Sequence, residues 1–458
     1  MKIVFFGGGG LRTLPIARAM LDLVPNLKAD GEITLCDLSA PRLEAMSLML
    51  QKSPEFAAAN CKVNWTTSAD EALPGADMVS MSMMAIPWRA FQSSQVACAK
   101  HDFMGSDQIS PSGAILGLVH GKIAYDLARK MEQHCPNAWL IDFANPVPVI
   151  SAVVNNHTKI RALGICGGFN NHQWDLTRLQ GRDEQDTNYD VDVAGVNHGS
   201  FIIRGTYKGE DLWKIFDRIL KDGFHEPEYN GYGYWAKWWM QFMMPRLLDI
   251  YRKHHCTIFS TEGDGVQHYF YEEFFENAEQ QRVEMLRANL DEQEASGRAA
   301  RVKSDAEFQA LAHGEVPADY WVSAERWDPT ITVLIAQALG GGGEKKIAAS
   351  FPARGNVEGF KDRAVLEYSL HLGPDGLRPV PNLYVPDVFQ GMVTELSMHQ
   401  TLLGDAIATE DPQVLYEALR AYPVRQNSRA YWALCEDLLT INKDVVASSF
   451  QGARQYFW

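Results

Sequence analysis

Cys166 and His198 are the two side chains of this sequence best suited to holding a divalent metal between them. Each closes an apolar run with strand character, Leu163-Gly164-Ile165 for the cysteine and Val193-Ala194-Gly195-Val196-Asn197 for the histidine. A thiolate and an imidazole at neighbouring strand ends can share one first-row cation, although a lone cysteine and a lone histidine are more often packing residues. Asn145-Pro146 follows another apolar run, Trp139–Asp142. That puts Asn145 at a strand's carboxyl end, where open α/β sheets bind their ligands; a plain loop start is the alternative. Tyr251 lies in Tyr251-Arg252-Lys253-His254-His255, whose cations would favour a phenolate, and Asp264 lies on the glycine-flanked loop Thr261-Glu262-Gly263-Asp264-Gly265. On the residues alone, a solvated surface position is the more common reading of both. His254 and His255 are adjacent, so on a helix they diverge and make a poor chelate. The aromatic stretch at 229–242 could stack on a sugar, form a subunit contact, or be core.

The elements that must position these groups read as alternating strands and helices. Residues 2–6 form a short apolar β-run, the four glycines Gly7, Gly8, Gly9 and Gly10 a turn, and residues 11–23 a helix with Leu14, Ala17 and Leu21 on one side. Strands follow at 32–35, 62–65, 76–81 and 139–142, with helices at 41–50, after Ser68, and at 114–131. This spacing predicts a doubly wound parallel sheet. A glycine turn between a strand and a helix is where a pyrophosphate rests against a helix N-terminus. Thr13 stands where the dinucleotide fingerprint has its last glycine, but Asp37 closes the second strand, where a carboxylate accepts hydrogen bonds from ribose hydroxyls. Beyond residue 161 the pattern changes, with strands expected at 162–166, 191–194 and 201–206. Helices are expected at 212–220, 244–254, 271–295 and through most of 390–439, with a flexible connection at 340–343 and a proline-punctuated loop at 379–386. The expected division is a Rossmann domain at 1–165 and an α+β domain for metal, substrate and oligomerisation at 166–458.

Bulk composition narrows the partners. The 458 residues carry a net charge of −15, which argues against a nucleic-acid or anionic-membrane partner. Seven cysteines, an odd number without short paired spacings, do not make a disulfide framework. No apolar run approaches the roughly 18 residues needed to span a bilayer, and the first residues enter a strand without a basic leader. A cytoplasmic setting with free thiols is expected.

The ordered set of motifs resembles glycoside hydrolase family 4, the NAD- and manganese-dependent α- and β-glycosidases, which include 6-phospho-glycosidases. It comprises the glycine run with Leu11-Arg12-Thr13-Leu14-Pro15, then Asp37, the segment 105–113, Asn145-Pro146, Cys166, and Asn197-His198. The likeness continues through Phe259-Ser260-Thr261-Glu262, Asn356-Val357-Glu358-Gly359, Val365-Leu366-Glu367 and the helices after Pro386, so it covers nearly the whole chain. It implies a lactate/malate dehydrogenase-like fold and an exception to two-carboxylate glycoside hydrolysis. NAD⁺ would take hydride from C3 of the sugar, and the ketone would acidify the proton at C2. A metal would stabilise the enediolate left when a base removes that proton. The aglycone would leave by elimination, water would add, and the hydride would return. The resemblance further implies that Gly7, Gly8, Gly9, Gly10, Leu11, Arg12, Asp37 and Asn145 meet the cofactor, and that Cys166 and His198 hold Mn²⁺. Asn145 and Asn197 would contact substrate, and Tyr251, or else Asp264, would be the C2 base. A homodimer or homotetramer is expected.

The sequence departs from the family in two places. The metal cysteine is usually followed by His, Asn or Asp, and here by Gly167, Gly168, Phe169 and the cluster Asn170-Asn171-His172. The family's Gln-Glu-Thr run before its glycine turn is replaced by Ser106-Asp107-Gln108-Ile109-Ser110-Pro111-Ser112-Gly113. Asp107 or His172 is therefore the expected substitute for the missing acid, with His172 also a substrate contact. Arg12, Arg89 and Arg354 are available for a phosphate. Two other readings compete: an NAD-dependent dehydrogenase acting on a hydroxy acid or sugar, and a non-catalytic sensor of sugar or nucleotide.

Overall fold

The computed structural model describes residues 1–266, 282–315, 330–423 and 428–457. Its framework is one mixed sheet. The amino-terminal part uses β1 (Lys2–Phe6), β2 (Gly31–Cys36), β3 (Cys61–Thr66), β4 (Met78–Met81), β5 (Trp139–Asp142) and β6 (Arg161–Gly164), all parallel, in the order β3-β2-β1-β4-β5-β6. The chain leaves β1 toward β2 on one side and returns to β4 on the other, so a crevice opens between the carboxyl ends of β1 and β4. The edge strand β3 has no buried residue, but helices on both faces bury the strands inside it, where Ile3, Val4, Ile33 and Leu35 are fully enclosed. Each such side chain contributes about 1.5–3 kcal/mol relative to an exposed one.

At β6 the pairing changes sense. Gly164 pairs antiparallel with Ser350 of β11 (Lys345–Pro352), and the sheet continues through β12 (Val365–Gly373), β7 (Tyr189–Val196), β8 (Gly199–Tyr207) and β10 (Thr257–Ile258). The division expected at 165 thus falls inside a continuous sheet, at the point where βαβ crossovers give way to antiparallel pairing. Two short strands sit beside this path: β9 (Glu210–Asp211) on β8 and β13 (Gly376–Pro379) on β12.

Helix ends differ from the sequence expectation for local reasons. The helix expected at 114–131 spans Pro111–His134, because the Ser110 hydroxyl accepts the Gly113 N–H at 3.0 Å and caps it early. The aromatic stretch is not a separate element; it supplies the first turns of a helix running Tyr234–His254. Of the helix expected at 271–295, residues 271–281 lie outside the described residues; 282–287 are helical, and after a break at 288–289 a second helix runs Leu290–Ala312. No described helix is long and apolar enough to cross a membrane.

Candidate active site

The glycine turn closes the crevice by shape. Gly7 has φ 87°, and a Cβ there would stand 1.9 Å from the Ser82 carbonyl at the end of β4, so only glycine lets the two strand ends meet. The N–H groups of the turn are engaged internally: Gly7 and Gly8 donate to the Cys36 carbonyl at 2.9 and 3.0 Å, Gly9 to Asp37 Oδ2 at 3.0 Å and Gly10 to the Gly7 carbonyl at 3.0 Å. The turn therefore shapes the approach to the helix Thr13–Leu23, while Asp37 is held at the tip of β2. Arg12 lies over the Phe143 ring at 4.7 Å. Leu11 is exposed, and Leu38, the residue after Asp37, is 95 % exposed at the same edge.

Cys166 and His198 do converge. Cys166 occupies the turn between β6 and the helix Gly168–Leu179, while Asn197 and His198 form the two-residue turn joining β7 to β8. Sγ of Cys166 is 3.4 Å from Nε2 of His198. With bond lengths typical of a first-row dication, a thiolate and an imidazole on one metal stand about 3.1–3.6 Å apart, from right-angle to tetrahedral geometry. The donor set fits such a cation. His198 sits at φ 64°, in the left-handed region, where a non-glycine residue costs about 1–3 kcal/mol and is held by its surroundings. Gly265 helps to hold it, since a Cβ there would stand 1.5 Å from the His198 carbonyl.

Asp264 proves to be the group that orients His198. Its Oδ1 is 2.6 Å from Nδ1 of His198, which leaves Nε2 facing Cys166, and its Oδ2 accepts from the Ser106 hydroxyl at 2.7 Å and the Ile109 N–H at 3.0 Å. Burial opposes the ionised form, but the His198 charge and these donors hold the carboxyl well below its ordinary range. Burial likewise opposes a charged His198, and Asp264 and Cys166 outweigh it, raising the imidazole well above its ordinary value. The expectation of Asp264 as an exposed base is corrected: it is 5 % exposed and fully used in hydrogen bonds. Such a second partner fixes the tautomer of a metal-binding histidine.

Tyr251 is corrected as well. It is 3 % exposed, packed on Trp213 and Phe216, and its hydroxyl donates to Asp217 Oδ1 at 2.8 Å. Burial and that carboxylate push it up to about 12, the opposite of what a base requires. The cations that suggested a phenolate point elsewhere: Arg252 and Lys253 pair with Asp249. His172, expected as acid and substrate contact, is 2 % exposed and stacked on Phe259 at 4.7 Å, and burial lowers it to about 4. It is a neutral core residue. The three arginines expected to serve a phosphate sit in different settings, Arg89 pairing with Asp291, Arg354 over Phe351 and Arg12 over Phe143.

Beside the metal pair lies a chain of amides and carboxyls. Gln108 Nε2 donates to Asn145 Oδ1 at 2.8 Å and to Asn197 Oδ1 at 2.7 Å, bridging the two parts of the sheet. Asn145 Nδ2 donates to Asp107 Oδ2 at 2.7 Å, and Asn197 Nδ2 to Glu367 Oε1 at 2.8 Å. Ser200 supports the other Glu367 oxygen at 2.5 Å, and burial raises this carboxyl. His120 Nε2 accepts the Ala85 N–H at 2.9 Å, so its Nδ1 carries the proton and donates to the Asn145 carbonyl at 2.6 Å. Asp107 and Asn145 are half-buried, whereas Gln108, Asn197 and Glu367 are enclosed.

Sequence reasoning assigned no role to Gln108, His120, Glu262 or Glu367. One ligand atom from each of Cys166, His198 and Glu262 lies within 4.8 Å of the others. Glu262 was present in the loop motif, but its position two residues before Asp264 gives no sign of which carboxylate turns toward the cysteine.

Comparison with known proteins identifies the family. The family model described as family 4 glycosyl hydrolase matches residues 2–180, and the C-terminal domain model of the same family matches 193–424. An alpha-galacturonidase from Thermoanaerobacter italicus is 24% identical over 429 residues, 91% of this chain and 90% of that protein. A 6-phospho-alpha-glucosidase from gut microorganisms, solved in complex with NAD and Mn²⁺, superposes with a TM-score of 0.77 at 19% identity, covering 97% of this chain and 98% of that one. A lactate dehydrogenase from a deep-sea metagenome library shares the fold more distantly, with a TM-score of 0.51 at 12% identity over 89% of this chain and 98% of that one. With two family models together spanning most of its length, the chain belongs to the family 4 glycosyl hydrolases and is a glycoside hydrolase.

Proposed function

We propose that the protein cleaves an O-glycoside by oxidation and elimination, with NAD⁺ in the crevice between β1 and β4 and a divalent metal, Mn²⁺, on Cys166 and His198. The observation that carries this reading is the 3.4 Å approach of Cys166 Sγ to His198 Nε2, with Asp264 fixing the imidazole. When bound, the nicotinamide supplies a reversible hydride acceptor and the cation a Lewis acid for sugar oxygens. The chain's own part is positioning. Gly7, Gly8, Gly9 and Gly10 shape the seat of the pyrophosphate, Leu11 and Arg12 flank it, and Asp37 faces the ribose. The exposed Leu38 offers an apolar surface that an adenine ring would cover. Asn145 and Asn197, tied by Gln108, hold the sugar hydroxyls at a fixed separation. Asp107, half-exposed beside Asn145, protonates the departing oxygen.

The same reading places the enzyme in the cytoplasm as a homodimer or homotetramer. All seven cysteines are unpaired, in keeping with a reducing compartment, and Tyr234 is 70 % exposed at the start of the aromatic helix, a surface suited to self-association. The test is hydrolysis in D₂O with NAD⁺ and Mn²⁺ across galacturonides, 6-phosphoglucosides and neutral glycosides. Deuterium at C2 of the product without net NADH is the expected result. Net NADH would replace it with a dehydrogenase, and binding without turnover with a sensor.

A further inference from the structure

We propose that Glu262 is a third protein ligand of the metal, filling the role left open where Gly167 follows Cys166. This rests on the metal reading above. The carboxylate lies within 4.8 Å of both other ligand atoms. Its hydrogen-bond partners are neutral, Asn171 Nδ2 donating to Oε1 at 3.1 Å and the Ser260 hydroxyl to Oε2, and among the described residues no lysine or arginine pairs with it. Three groups able to carry negative charge, Cys166, Glu262 and Asp264, therefore converge around a single imidazole, an arrangement a dication would neutralise.

The Gly167-Gly168 pair explains how the carboxylate gets there. A Cβ at 167 would meet nothing within 4 Å, so a side chain beside the metal cysteine is missing from space that could hold one. A Cβ at 168 would stand 3.2 Å from both Cβ and Oγ of Ser260 and 3.4 Å from Oε1 of Glu262. Glycine at 168 thus admits the 260–262 segment from the far side. That segment is fixed by its own anchors: the Thr261 carbonyl accepts from Trp239 Nε1 at 2.9 Å, and the Thr261 hydroxyl donates to buried Asp175 at 3.1 Å. Thiolate, imidazole and carboxylate together would hold a divalent cation before substrate arrives.

Mn²⁺ titration followed by the EPR signal of the free ion, on full-length protein with NAD⁺ and no sugar, tests this. Cys166→Ser should abolish binding. Glu262→Gln and Glu262→Ala should raise the Kd at least about tenfold, the loss that even a supporting contact to a metal ligand carries. Adding Gly167→Asp to Glu262→Ala should recover affinity, which a merely structural role for Glu262 would not allow. Wild-type affinity in both Glu262 variants, with Cys166→Ser still deficient, would overturn the proposal alone. Failure of the wild-type protein to bind Mn²⁺ would overturn the metal reading with it. Thermal melts of Glu262→Gln, which preserves shape, separate loss of a ligand from loss of fold.

Discussion

The two parts of the sheet build their portions of the site by different means. On the parallel side the crevice is made by backbone: Gly7 lets β1 approach the end of β4, and the turn's N–H groups are satisfied within the turn and by Cys36 and Asp37. On the antiparallel side, beginning at the end of β6, the site is made by side chains from three separate segments: Cys166, His198, and the one loop that carries both Glu262 and Asp264. Backbone sites tolerate change in neighbouring side chains but not in conformation. Side-chain sites depend on which residue stands at each position, and here also on the left-handed conformation that presents His198.

The sharpest test of that contrast is Cys166→Ser, which should lower Mn²⁺-dependent turnover by on the order of 10³-fold by replacing a thiolate ligand with a neutral hydroxyl. NAD⁺ binding, followed by protein fluorescence, should be unchanged; joint loss of both would erase the distinction. A sensitivity to acid should also belong to the antiparallel side. His172 is held at about 4 in the folded protein against an ordinary 6.5, so below 6.5 the unfolded chain binds the extra proton. Stability attributable to this residue therefore falls as pH drops from 6.5 toward 4, by about 3 kcal/mol in total. Urea titrations across that range should show the fall in wild type and its reduction in His172→Phe, and parallel curves would remove His172 as the cause.

Gly7→Ala challenges the backbone side. An alanine at φ 87° should cost at least about 1–3 kcal/mol in backbone strain, to which the overlap with the Ser82 carbonyl at 1.9 Å adds, and should weaken NAD⁺ while leaving Mn²⁺ affinity near wild type. Equal loss of metal would mean the two portions are one rigid unit. Smallest is Tyr251→Phe, which removes the bond to Asp217 and should cost about 1 kcal/mol in a thermal melt with kcat within about twofold of wild type. A collapse in kcat would return Tyr251 to the reaction.

Legibility followed the range of the physical signal. The strands, the glycine turn and Asp37 are readable because each depends on neighbours a few residues away, through alternation, turn conformation and the strand–helix period. Cys166 and His198 stand out because soft and imidazole ligands are few and both end apolar strands. Tyr251 misleads for the same local reason: Arg252 and Lys253 are adjacent in sequence, yet on the helix they turn to Asp249, and Tyr251 turns inward to Asp217.

By itself the sequence determined the parallel α/β start, the family resemblance, and the pair of residues able to take a metal. Only the tertiary structure decided that Asp264 orients His198, that Glu262 turns toward Cys166, and that Gln108 ties Asn145 to Asn197. Those choices depend on which polar groups share a buried space after chain segments as much as 170 residues apart have met, as Asn197 and Glu367 do. Desolvation then obliges every enclosed donor and acceptor to find a partner there, a condition no local pattern of residues records.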